Sequence, residues 1–164
     1  MAAALFGIVY RDEKGHFTRV PYASRVAPEL GGRGCHLSEL AFRDGVWEQI
    51  RHREPRFHEH AYLFVLAALE FQQARLPGRR HVDGRELAWA VRDLAFERFG
   101  VTARLVLEHW GIRSTADVGD IVFTMVELGL LMSQPTDKRE QFADVFVFDE
   151  AFETAYPWTA AHLS

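Results

Sequence analysis

Few residues in this chain have the types and spacing that chemistry needs. His58-Glu59-His60 carries metal-compatible side chains, but two histidines two residues apart do not share a helical face, and the HExxH spacing that would align them is absent. Cys35 beside His36 pairs a thiol with a base, yet adjacent side chains commonly diverge and no third group completes a nucleophile set. Gly31-Gly32-Arg33-Gly34 lacks the Gly-Lys-Ser/Thr ending of a phosphate loop and follows no strand-like run, so it reads as a linker. Isolated carboxylates such as Glu70, on a nearly apolar helix, call for an arginine partner or an edge position rather than a raised pKa. Neither a catalytic set nor a metal site is expected, and no cofactor is implied.

Charge points instead to surfaces. Residues 1–116 hold 17 Lys or Arg against 14 Asp or Glu, a net of +3, whereas residues 117–164 hold 2 against 9, a net of −7. One arginine group, Arg51, Arg53 and Arg56, precedes an apolar segment, and another, Arg75, Arg79 and Arg80, follows it. Both could serve nucleic acid, which draws affinity from cations on phosphates, although a helix about 20 residues long would hold them roughly 30 Å apart. A second stripe, Arg85, Trp89, Arg92 and Phe96, is spaced by four, three and four, and lies well away from the Leu87, Val91, Leu94 face of the same segment. Such a Trp and Arg stripe is the composition of a protein-binding hot spot, or else of a helix face that a neighbour covers.

The elements that would position these groups are mostly helical. Asp83 with Glu86 matches a capping box for a helix from Gly84 to about Phe99, which Gly100 would end. Thr102 is expected to cap a short helix through Trp110, and Ser114 with Asp117 to open another running to about Leu128. On that last helix Val118, Ile121, Val122, Met125 and Leu128 should face inward, and Asp117, Asp120, Thr124 and Glu127 outward. Ser38 can cap an earlier helix through Ile50 that stops before Pro55. Ala61 to Phe71 is apolar almost all round, as befits a central helix.

Leu130-Leu131-Met132 and Val145 to Phe148 are β-compatible runs around a polar stretch containing Pro135, so three helices are followed by a strand, a loop and a strand. That order is similar to a winged helix over residues 84–149, with helix 114–128 in the place of the DNA reader. Its outer face is acidic, and no basic residue lies between Arg113 and Lys138, which argues against DNA and for a protein partner. Asp149 can cap a last short helix whose Phe152 and Tyr156 would dock the chain's end. At the other end Ala4–Tyr10 and His16–Tyr22 suggest a β-hairpin around Asp12-Glu13-Lys14-Gly15.

With 164 residues, 48% hydrophobic and 26% charged, the chain suits one globular unit: a mainly helical domain over 37–164 behind a hairpin and Gly-rich linker over 1–36. One cysteine excludes a disulfide scaffold, and the Ala2–Tyr10 run is too short and wrongly flanked for a signal peptide, so a cytoplasmic setting is expected. The leading reading is a non-enzymatic protein-interaction module using Arg85, Trp89, Arg92 and Phe96 or the acidic Asp117, Asp120, Glu127 face. A nucleic-acid-associated regulator is second and an enzyme of unknown class third, with self-association left open.

Several segments together resemble a small bacterial family labelled Verruc-Plancto-restricted. They are Glu54-Pro55-Arg56-Phe57-His58, Ala61-Tyr62, Phe64-Val65, Arg80-His81-Val82 with Gly84 and Glu86-Leu87, Phe99-Gly100, Trp110-Gly111, Asp120-Ile121-Val122-Phe123 and Phe148-Asp149-Glu150-Ala151-Phe152. The likeness spans about residues 40–156 and brings no activity, cofactor or site residue. The resemblance starts near the Ser38 helix, which leaves residues 1–36 as either an added hairpin or the result of an upstream start choice.

Overall fold

Nine consecutive buried residues, Ala61 to Leu69, can be satisfied only by a helix with neighbours on several sides. In the computed structural model, which describes residues 9–11, 17–19, 44–78 and 80–154, this is α2, Glu59–Arg75, the hub of the fold. Around it stand α1 (Asp44–Arg53), α3 (Gly84–Phe99), α4 (Ala103–His109) and α5 (Thr115–Glu127), so the described chain is mainly helical. A three-residue strand β1, Val9–Arg11, pairs antiparallel with β2, Phe17–Arg19, with Tyr10 opposite Thr18. The expected turn at Asp12–Gly15, the Gly31–Gly34 linker, Cys35, the Ser38 cap, Leu40, Arg79 and Tyr156 lie outside the described residues.

Local signals set the helix ends. The Glu86 amide donates to Asp83 at 2.9 Å and the Asp83 amide to Glu86 at 3.2 Å, a complete capping box. Ser114 and Asp117 make another at the start of α5. Thr102 departs from expectation: its hydroxyl donates back to the Phe99 carbonyl at 2.8 Å, and a 3-10 turn, Gly100–Thr102, leads into α4 with no side-chain cap. Gly111, at φ +96°, turns the chain so tightly after α4 that a Cβ there would lie 2.7 Å from the Arg56 carbonyl oxygen.

Leu87, Ala88, Val91, Leu94 and Ala95 of α3 are buried, as are Val118, Ile121, Val122 and Met125 of α5, which bears out the inward faces read from periodicity. Thr124 is a correction. Helical period puts it on the outward face, yet it is buried, and its hydroxyl donates to the Asp120 carbonyl at 2.7 Å, the helical back-bond that lets a short polar side chain sit inside.

The wing is also corrected: residues 129–149 contain no strand. The amides of Leu130 and Leu131 both turn back to the Met125 carbonyl, at 2.8 and 3.2 Å, capping α5 where a ladder would need them. A 3-10 turn, Arg139–Phe142, then drives Phe142 into the core between α3 and α5, and the Val145 amide donates to Thr115 at 3.3 Å. Phe148 and Phe152 are buried at the following π-helical turn, Glu150–Thr154. The apolar content of 142–152 thus serves packing on helices.

Candidate functional site

The acidic side of α5 is where a docking face was expected, and it is already occupied by arginine. Asp120 bonds Arg56 and Arg139, each at 2.8 Å. Glu127 takes Arg53 at 2.6 Å and Arg139 at 3.2 Å, and Arg56 lies 3.7 Å from Asp117 and 2.9 Å from Glu54. The Arg53 guanidinium holds the Glu127 carboxyl below the usual carboxylate range, and Arg56 does the same to Glu54. Asp117 also accepts the Arg113 and Ser114 amides, at 3.0 and 2.9 Å. Asp117, Asp120 and Glu127 therefore form half of an internal charge network, not a bare negative surface.

The same contacts tie down most of the first arginine group. Arg53 and Arg56 serve α5, while Arg51 stands exposed on α1. In the second group Arg75 pairs with Asp93 at 3.3 Å and Arg80 pairs with Glu86. The described members of the two groups sit at opposite ends of α2 and are not brought into one patch.

The α3 stripe divides in two. Phe96 packs against Phe152 with tilted rings 5.2 Å apart, and the Arg92 guanidinium lies over both Trp89 and Phe96, at 5.2 and 5.3 Å. Arg92 also donates to Asp93 at 3.2 Å and to the Ala151 carbonyl at 3.4 Å, so it is clamped. Trp89 leans on Phe146 at 4.8 Å but stays 43% exposed, and Arg85 one turn earlier is exposed. Beside Trp89 an open groove of about 720 Å³ has Phe146 and Val147, the latter 58% exposed, on its apolar side, and both signs of charge around it, from Arg92 and Arg113 and from Asp144, Asp149 and Glu150. Sequence reasoning missed the groove's far wall, because it assigned Phe146 and Phe148 to a strand; the density of phenylalanine from 142 to 152 was the available signal.

No family model, no curated protein and no solved structure matches the chain. The site therefore rests on its own geometry. No helix among the described residues is long and apolar enough to cross a membrane.

Two further polar clusters were not legible. His81 Nε2 meets Asp137 at 2.7 Å, and Asp137 also accepts the Gln134 amide, clipping the 133–138 loop to the entrance of α3. His58 and His60 do come together, against the argument from helical spacing, because His58 is the extended cap residue of α2 and not part of the helix. Their Nδ1 atoms are 2.9 Å apart. Even so, among the described residues no three His, Cys, Asp or Glu side chains converge as ligands for a metal ion.

Proposed function

We propose that the chain is a protein-interaction module whose docking surface is the Trp89 rim of the α3 groove. One observation carries this reading: a tryptophan 43% exposed, braced by Phe146 and by a clamped Arg92, borders a groove with a second exposed apolar side chain, Val147. Anchors held in place before binding lose little entropy when a partner arrives, and exposed Trp beside Arg is the chemistry of binding hot spots. Arg92 and Arg113 line the groove together with Asp144, Asp149 and Glu150, so the apolar contact offered by Trp89 and Val147, rather than net charge, is what a partner segment would meet.

The acidic side of α5 supports the proposal less, since a partner would first have to displace Arg53, Arg56 and Arg139. Nor does α5 suit a DNA reader, given Asp117, Asp120 and Glu127 along it. The order α3, α4, α5 serves here as scaffold. A cytoplasmic setting and membership of the Verruc-Plancto-restricted group are further parts of the proposal and add no chemistry to it.

The test compares Trp89→Ala with the parent chain in co-purification and in thermal melts. The variant should lose its partner by tenfold or more, on the order expected of a hot spot, with its melting temperature nearly unchanged. Undiminished capture overturns the reading, and a large drop in melting temperature would make Trp89 a core residue instead.

A further inference from the structure

The N-terminus of α2 is capped by an imidazole, where a hydroxyl or carboxylate is usual. Nδ1 of His58 accepts the His60 amide at 3.2 Å. The same atom lies 2.9 Å from Nδ1 of His60, with the rings stacked at 4.8 Å between centroids. An Nδ1 that accepts an amide carries no proton, so His58 is neutral with its hydrogen on Nε2, and His60 is the side that can donate between the rings. His60 in turn stacks on Trp110 at 5.8 Å, and the His109 ring is 6.4 Å from His58. The backbone joins here too: the His58 amide donates to the Trp110 carbonyl at 3.0 Å, beside the close approach of Gly111 to Arg56.

We infer that His58 is a proton-operated latch, which on taking a proton at Nδ1 releases the first turn of α2 and loosens the joint between residues 56–58 and the Trp110–Gly111 turn. The proton converts the acceptor of the His60 amide into a donor, so it would point an N–H at that amide N–H and end the cap bond. It also places a cation at the positive end of a 17-residue helix. The titratable groups facing His58 are His60 and Glu59 of α2 and His109 of α4, and of these only Glu59 favours the charged ring. His58 itself is exposed, so protons reach it without prior opening.

Desolvation, followed by His60 and His109, holds His58 below the ordinary histidine range. A folded-state value below the unfolded one means that the unfolded chain binds the proton more readily. The latch therefore holds fully above about pH 6.5 and weakens as the pH falls. This device is independent of the groove at Trp89.

Amide exchange of His60, Ala61 and Tyr62 in the full chain tests it, expressed as protection factors from about pH 7.5 to about pH 5.5 around the ordinary histidine value. Protection should fall by about fivefold, the usual weight of a cap, and Trp110 emission should shift over the same interval. His58→Asn, whose side-chain oxygen caps without titrating, should hold its protection flat. Constant protection in the parent chain, or an equal fall in His58→Asn, overturns the inference. Should that variant fail to fold, the imidazole titration of His58 in the parent chain decides: its midpoint must lie below about pH 6.5, with protection lost between that pH and the midpoint, and a midpoint at or above about pH 6.5 overturns the latch.

Discussion

The ring of Phe142 fills the gap that two glycines leave between α3 and α5: a Cβ at Gly84 would lie 2.8 Å from the ring, and one at Gly119 2.9 Å from the Phe142 side chain. Gly119→Ala sets two effects against each other. Alanine favours a helix interior over glycine by about 0.5–1 kcal/mol, while a rigid buried ring that cannot retreat costs about 1–3 kcal/mol. The clash should win, so Gly119→Ala is expected to lower unfolding free energy by about 1–2 kcal/mol. Phe142→Ala should cost more, about 3–5 kcal/mol, through the cavity it leaves. Denaturant titration measures both; a stabilised Gly119→Ala would mean that the ring is not seated as described.

The arginine network on α5 gives the fold an acid dependence. Glu54 and Glu127 have carboxyls held below their ordinary range, by the Arg56 and Arg53 guanidinium bonds respectively. A lowered folded-state value means that their stabilisation is complete above about pH 4.5 and disappears as the pH drops through the folded values. These side chains are partly solvated, so each pair contributes under about 1 kcal/mol. Unfolding curves between pH 5 and pH 3 should fall less steeply for Arg56→Gln than for the parent chain. Equal slopes would show that the pair contributes nothing.

The same network bears on nucleic acid. Because Arg53, Arg56, Arg75 and Arg80 already meet carboxylates, the parent chain should give no gel shift with single- or double-stranded RNA or DNA at low salt. A shift that weakens steeply with added salt, and that Arg53→Ala with Arg56→Ala removes, would restore the nucleic-acid reading.

What the sequence made legible was local. Capping boxes at Asp83 and Ser114 are four-residue signals whose partners are fixed by helix geometry alone, and both ends of α3 follow from residues within a few positions. The inward face of α5 follows from period. What covers the outward face does not: Arg53 and Glu127 are 74 positions apart, and no periodicity announces such a pairing. The apolar runs at 130–132 and 145–148 carry strand-like composition, but composition reports only that side chains seek burial. Here the burial is against helices, with the amides of Leu130 and Leu131 engaged at the end of α5. At the binding surface, the Arg85, Trp89, Arg92, Phe96 stripe was readable as a face. Its division into a covered half and an open half depends on Phe146 and Phe152, more than 50 residues away from Trp89 and Phe96.

Two glycines of similar backbone conformation separate strain from crowding. Gly129, at φ +71°, ends α5 with open space where a Cβ would sit, whereas Gly111, at φ +96°, would press a Cβ to 2.7 Å from the Arg56 carbonyl. Gly129→Ala should therefore cost only the left-handed conformation, about 1 kcal/mol. Gly111→Ala carries that cost and must also push residues 56–58 away from the Trp110 turn, where the His58 amide is bonded. Carbonyl oxygens in a packed turn have little room to yield, so the expected excess over Gly129→Ala is about 1–3 kcal/mol. Because the displaced segment carries the α2 cap, Gly111→Ala should also reduce exchange protection at His60 and Ala61, which Gly129→Ala should leave alone. Equal stability losses in the two variants, with unchanged protection at the α2 start, would mean that the 56–58 and 110–111 segments do not press together in solution.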